Sequence, residues 1–276
     1  MLAPMRENFK TYIAIPQDHG SWVFILSPLL IGAFAGGRLS LSVLSLFVAA
    51  MSAFMLRQPM AIFVKALSGR RPKTDLPPAR FWVLVYGITA ALALLVLIAE
   101  GYVYLLYLAV PGAPVFAWHL WLVSKRAERR QAGVEIIAAG VLSLAAPAAY
   151  WTALGGYDPQ GWQLWAWTWL QSAASIVYAY LRLEQRELKQ IPAWKDLWKM
   201  GNRALLYASF NLAASAILGW ARIIPQLLFI PFLIQWLETV WGVFRPCIGW
   251  KPTHIGVRQL VVSAAWTILF IICWRF

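Results

Sequence analysis

Apolar residues gather along this chain in nine stretches, over residues 20–36, 40–56, 81–100, 103–123, 134–154, 163–183, 203–220, 223–244 and 257–272. Each approaches the roughly 20 residues that a helix needs to cross the hydrocarbon core of a bilayer. Short polar segments separate them, and no long linker or low-complexity tract intervenes. The pattern therefore predicts an all-α, polytopic integral membrane protein, a single domain over 1–276 with about nine transmembrane helices. Prolines interrupt several of the stretches, at Pro28, Pro59, Pro111, Pro114, Pro147, Pro225 and Pro231. Such breaks suit a bundle that encloses a cavity, and equally helices kinked for packing.

Composition agrees. The chain is 61% hydrophobic and only 13% charged, whereas soluble domains carry about 25% charged residues. A net charge of +13 would suggest nucleic acid in a soluble protein. Here the cations sit in short segments between apolar ones, as membrane topology demands, so no nucleic-acid partner is expected. With the N-terminus inside, only Arg38, Arg222 and Arg275 among the lysines and arginines fall outside. That asymmetry predicts a cytoplasmic N-terminus, an outward C-terminus and residence in the inner cell membrane. The first 20 residues show neither a signal-peptide core nor a cleavage site, so the first helix is expected to remain. Tryptophans 151, 162, 165, 167 and 169 cluster around the segment at 155–161, and Trp82, Trp118, Trp121, Trp241 and Trp250 lie near the other ends. They read as interface belts. His119, among Trp118 and Trp121, reads as a belt member. Cys247 and Cys273 give no metal spacing, and no cofactor is expected.

Two basic segments carry the candidate chemistry. The first holds Arg57, Lys65, Arg70 and Arg71, with Arg57, Ala61 and Lys65 on one helical row. The second holds Arg182, Arg186 and Lys189, which at i, i+4 and i+7 would share a face. Facing each other at the inner mouth of a bundle, these groups would receive an anionic headgroup, because guanidinium grips phosphate bidentately. Ordinary contact with lipid phosphates at the interface explains the same residues. Asp18 and His19 open the first helix, where Asp18 caps it or orients His19 for acid–base work. Glu238 is the one carboxylate well inside a stretch; intramembrane acids are costly and point to function, although a polar partner such as Asn211 would also account for it.

Three stretches together resemble the YwiC-like membrane proteins: Pro16-Gln17-Asp18-His19-Gly20-Ser21-Trp22, where Asp18 stands in place of the family's usual Glu; Arg57-Gln58-Pro59 with Lys65, Arg70 and Arg71; and Lys251-Pro252 with Ile255-Gly256-Val257-Arg258-Gln259-Leu260. A more distant likeness is to the UbiA-type intramembrane prenyltransferases, whose nine helices carry polar loops after helices two and six on one side. That likeness implies a UbiA-like bundle and a prenyl diphosphate held through Mg²⁺ by two Asp-rich motifs. At the corresponding positions this chain has Arg57-Gln58-Pro59 and Arg182-Leu183-Glu184-Gln185-Arg186-Glu187, and Mg²⁺ prefers carboxylate oxygens. A protein that binds an anionic, lipid-tailed molecule at its cytoplasmic face is thus one reading, with Asp18, His19 and Glu238 as catalytic candidates and no metal. Others are a transporter of small or lipid-linked anions, and a non-catalytic subunit of a larger respiratory or photosynthetic membrane complex. Membrane lipids are partners in every case.

Overall fold

Prolines and glycines decide where the helices start, break and touch. In a computed structural model, residues 11–16, 19–125 and 131–275 are described, with His19 and Gly20 described by their backbone alone. Every regular element among them is helical. The helices are α1 (Thr11–Ala14), α2 (Val23–Gly36), α3 (Leu41–Leu67), α4 (Leu76–Ala99), α5 (Ala109–Ser124), α6 (Ala132–Ser143), α7 (Ala145–Leu154), α8 (Gln160–Gln185), α9 (Trp194–Trp220), α10 (Phe229–Phe244) and α11 (Pro252–Cys273). Short 3-10 turns precede α2, α4, α5 and α10.

All nine expected stretches are largely helical, and among the described residues six segments are long and apolar enough to cross a membrane: α3, Lys73–Ala99 ending in α4, Val103–Ser124 ending in α5, Ala132–Leu154 comprising α6 and α7, Gln226–Phe244 ending in α10, and α11. The molecule is a polytopic helical membrane protein. Helix α2 is apolar but shorter. Helices α8 and α9 run 26 and 27 residues, and each mixes polar with apolar positions.

Three boundaries differ from the sequence pattern. Helix α3 does not stop near residue 56 but continues without a break to Leu67, so the expected helical row of Arg57, Ala61 and Lys65 is part of the same helix as the apolar stretch before it. Helix α8 ends at Gln185, with Arg186 as the residue just past its end and Lys189 further on; the row expected from Arg182 through Lys189 is cut after its first member. The stretch at 134–154 is broken at Leu144. Pro147 lacks the N–H that would serve the Ser143 carbonyl, which is the usual cause of such a break.

Close packing replaces the hydrophobic effect as the force between helices in lipid, so small residues matter at crossings. Gly32 and Gly36, one turn apart on α2, lie against Ala146, Ala149, Tyr150 and Ala153 of α7. A Cβ at Gly36 would come within 2.6 Å of the Ala153 Cβ and 2.7 Å of the Tyr150 carbonyl oxygen. Both helices then end on left-handed glycines, Gly37 (φ 81°) and Gly155 (φ 86°), a conformation that side chains disfavour. Ser40 restarts the chain by accepting a hydrogen bond from the Val43 amide at 3.3 Å.

Helix α8 is the axis of the bundle, touching α2, α6, α7, α9, α10 and α11. Of the tryptophans expected to form a belt near its start, two are core residues and two more tie helices together while half-exposed. Trp151 and Trp167 are buried in the main core, and Trp151 donates to the Asp158 carbonyl at 2.6 Å. Trp165 and Trp169 donate to the carbonyls of Gly140 and Ile136 at 2.9 and 2.8 Å, tying α8 to α6. Indole is large, apolar and a single donor, so a buried position beside a helix carbonyl satisfies all of it.

Candidate functional site

Helices α3 and α8 each present an inward wall to one cavity of about 730 Å³. That volume lies in the range of small-molecule sites. On α3 the wall is the row Arg57, Ala61 and Lys65; on α8 it is Ser175, Ile176, Ala179, Tyr180 and Leu183. Arg71 joins from the segment after α3, His119 and Val123 from α5, Ala138, Ala139 and Leu142 from α6, and Gln259, Leu260 and Ser263 from α11. Arg57 and Ser175 each stand ten residues before the end of their helix, about 15 Å of helical rise. The cavity therefore reaches well into the bundle, cationic along α3 and largely apolar along α6 and α8.

The cations are held in position by neighbours. Arg57 Nη2 donates to Ser21 Oγ at 3.2 Å, and its guanidinium sits 5.3 Å from the Phe54 ring centre. Ser21 closes the motif that contains Asp18 and His19. Asp18 lies outside the described residues, and His19 is placed only as the first residue of the turn His19–Trp22. Arg71 donates to Asp75 Oδ2 at 3.1 Å and lies over the Tyr12 ring, while the Tyr12 hydroxyl donates to Asp75 Oδ1 at 2.9 Å. Gln58 donates to the Tyr12 carbonyl at 2.9 Å. Arg70 points elsewhere and donates to the Val123 carbonyl. Across the cavity Tyr180 donates to Glu135 Oε1 at 2.6 Å.

The second basic segment does not meet the first. Since Ala179, Tyr180 and Leu183 face the cavity, Arg182 falls on the other side of α8 and is 2% exposed. Its Nη1 lies 2.8 Å from Gln185 Oε1, 2.7 Å from the Gly242 carbonyl and 2.8 Å from the Arg245 carbonyl. Gln185 donates to the carbonyls of Gly242 and Val243 at 3.1 and 3.3 Å. The last carbonyls of α10, which have no partner within their own helix, are thus capped by α8. The rings of Tyr178, Trp241 and Trp250 surround the guanidinium at 5.6–5.9 Å. Gly242 permits this approach, because a Cβ there would collide with the Tyr178 ring. Arg186 follows the helix end and its carbonyl accepts from the Gly249 amide at 3.0 Å, while Lys189 is exposed. Neither lines the cavity among the described residues.

Glu238 has a partner, and it is not Asn211. Arg258 of α11 grips it bidentately, Nε to Oε1 at 2.6 Å and Nη2 to Oε2 at 2.7 Å. Tyr178 donates to Oε1 at 2.9 Å, and the Arg258 guanidinium stacks 3.9 Å from the Trp241 ring centre. Asn211 donates instead to the Leu170 carbonyl. Glu238 lines a small chamber of about 20 Å³ with Gln235, Gln171, Ser175, Gln259 and Ser263. The sequence pattern gave no reason to single out Gln259 or Ser175, which carry ordinary polar side chains in apolar runs. His119 was passed over for its tryptophan neighbours, although its spacing of four from Val123 puts both on one helical face.

Fold and site define a class: a multi-pass helical membrane protein with a partly cationic internal cavity. The profile of a family described as YwiC-like protein matches residues 15–150, a span that holds Arg57, Lys65, Arg71 and His119 but stops before α8. The chain is similar to the protein named Uncharacterized protein YwiC of Bacillus subtilis (strain 168), at 26% identity over 261 residues, covering 90% of this chain and 92% of that protein. No solved structure matches the chain.

Proposed function

We propose that this protein binds an anionic, lipid-tailed molecule in the large cavity, its phosphate or diphosphate head received by Arg57, Lys65 and Arg71 and its tail lying along α6 and α8. The observation that carries the reading is the lining: three cations from one segment face a wall of Ala138, Ala139, Leu142, Ile176 and Ala179. A free inorganic anion would not need that apolar wall, and a neutral lipid would not need three cations. Arg57 lies deep on α3 beside Pro59, and an intramembrane cation is costly unless it has work there.

In this reading the basic end of the bundle faces the cytoplasm of a cell whose inner membrane holds the protein. The likeness to UbiA-type enzymes bears on the class of ligand, an isoprenoid phosphate being one such amphiphile. Their carboxylate motifs are replaced here by cations that meet phosphate directly. Asp18 and His19, three and two positions before Ser21 in the chain, remain the proposed groups for any chemistry on a bound head, on their sequence position alone.

The test is equilibrium binding of farnesyl diphosphate to protein in lipid nanodiscs. A charge-assisted contact contributes about 1.5–3 kcal/mol, so Arg57→Gln should weaken binding roughly ten- to a hundredfold, and EDTA should leave the unsubstituted protein unaffected. Unchanged binding in the variant would remove the assignment. Loss of binding on adding EDTA would place a metal on Glu184 and Glu187 instead. Orientation is tested separately by labelling single cysteines at Ser68 and Gly156 in a background without Cys247 and Cys273. Opposite sides are expected, with Ser68 cytoplasmic; one side for both would sink the topology.

A further inference from the structure

Gln235 is a buried amide with one end unanswered. The residue is 6% exposed, its Nε2 donates to the Gln171 carbonyl at 3.3 Å, and its Oε1 has no hydrogen-bond partner. The two ends of a glutamine amide cannot be exchanged here, because a flip would set one oxygen against another. An acceptor is therefore left over, and a buried polar atom without a partner is destabilising. Gln235 borders the chamber of about 20 Å³ beside Glu238, which has room for one water-sized group. Gln235 is part of that space's lining, and the terminal torsion of a glutamine is broad.

The chamber adjoins the large cavity. Ser175, Gln259 and Ser263 line both, so they form a polar partition between the cavity and the Glu238–Arg258 pair. Gln259 donates to the Ser175 carbonyl at 3.3 Å across this partition. The Glu238 carboxylate already accepts from Arg258 and Tyr178, which leaves the charge balanced and gives no attraction for a cation. What is missing is a donor at Gln235 Oε1 itself.

We infer that the chamber beside Gln235 is a hydrogen-bonding subsite for one O–H donor, supplied by an ordered water or by a hydroxyl at the far end of the cavity's ligand. The ligand source rests on the proposed binding of an anionic amphiphile; the water source does not. A hydroxyl reaching through Ser175 and Ser263 would give the ligand a polar group at each end, an anionic head at Arg57 and a neutral donor at Gln235.

Two probes and one density map separate the outcomes. The probes are decyl phosphate and ω-hydroxydecyl phosphate, titrated against nanodisc-held protein and against Gln235→Met, with each protein's thermal midpoint recorded to show that it is folded. The map is that of the ligand-free protein at a resolution that shows ordered waters. If the ligand supplies the donor, the hydroxylated probe binds about tenfold tighter, the gain from satisfying one buried acceptor, and Gln235→Met abolishes the preference. If water supplies it, the two probes bind alike and the map shows a peak within hydrogen-bond distance of Gln235. Equal binding and no peak overturn the inference, whatever the fate of the variant. Should neither probe bind, the headgroup assignment fails, and the map alone decides the chamber.

Discussion

The two basic regions of this protein use the same residue types to opposite ends. Along α3 and the segment after it, Arg57, Lys65 and Arg71 border open space, and the wall across from them is largely apolar, with Glu135 and Tyr180 paired within it. Along the other face of α8, Arg182 and Arg258 are enclosed by carbonyls, a carboxylate and aromatic rings. One region lines a cavity; the other is filled by the protein's own groups. The distinction is set by which face of α8 a residue occupies, since Tyr180 and Arg182 are two positions apart and look in different directions. A count of charges per loop cannot tell these regions apart, but removing single charges can.

The largest effect belongs to Arg182. Arg182→Met leaves the Arg245 carbonyl and the Gln185 amide oxygen short of a donor in a dry interior, while the Gly242 carbonyl keeps only Gln185 Nε2. At roughly 1–3 kcal/mol for each orphaned acceptor, the loss of stability should reach about 3–5 kcal/mol. The thermal midpoint in detergent should fall sharply, while farnesyl diphosphate affinity per folded molecule stays unchanged. A variant that is stable yet fails to bind would reverse the comparison and make Arg182 part of the receiving site.

Next comes the ion pair. Arg258→Met strands the largely buried Glu238 carboxylate beside the Tyr178 hydroxyl. Breaking a fully buried pair from one side costs about 3–5 kcal/mol, and the partial exposure of Arg258 lowers the expected loss to about 2–3 kcal/mol. Replacing both, as Glu238→Met with Arg258→Met, should recover more than half of that loss. If the double variant is as unstable as the single one, the pair has a role beyond mutual neutralisation, and Glu238 returns as a candidate for chemistry.

Much of this architecture was legible in the chain, and the parts that were not share a cause. Apolar length and turn residues mark helices wherever they are, so all nine stretches appear largely as helices. Glu238 stood out because a lone acid in an apolar run has few explanations. Arg258 did not, because a basic residue near a helix start fits the topology rule equally well. Arg182 was invisible in its true role: its partners are main-chain carbonyls some sixty residues away, and every residue has a carbonyl. The break at Leu144 and the burial of Trp151 depend on Pro147 and Gly161 in three dimensions, and neither residue announces what it packs against. The row Arg57, Ala61 and Lys65 was readable because helical periodicity alone makes it a row.

The third contrast is on the open side. Arg57→Gln keeps a hydrogen-bond donor for Ser21 and most of the side chain's packing, so stability should change by less than about 1 kcal/mol while ligand affinity falls as stated above. Stability lost in step with affinity would mean that Arg57, like Arg182, belongs to the framework.

The smallest effects are expected at Arg186 and Lys189, and their smallness is informative. Both belong to the basic segment that follows α8, and both would hold the headgroup if the two segments met. Helix α8 ends at Gln185, however, so Lys189 has left the helical row, and Arg186 engages the 249 region through its backbone rather than its side chain. Arg186→Gln and Lys189→Gln should each change stability by no more than about 0.5 kcal/mol, as exposed substitutions do. Farnesyl diphosphate affinity should stay within about twofold of the unsubstituted protein, a shift of well under 1 kcal/mol. A long-range field would still act on an anion approaching the basic end, and raising the salt concentration should erase whatever remains of the twofold, since charges more than about 10 Å apart are screened at ordinary ionic strength. A tenfold loss that survives high salt at either position would show direct contact with the head, and would place the ligand across both segments rather than along α3 alone.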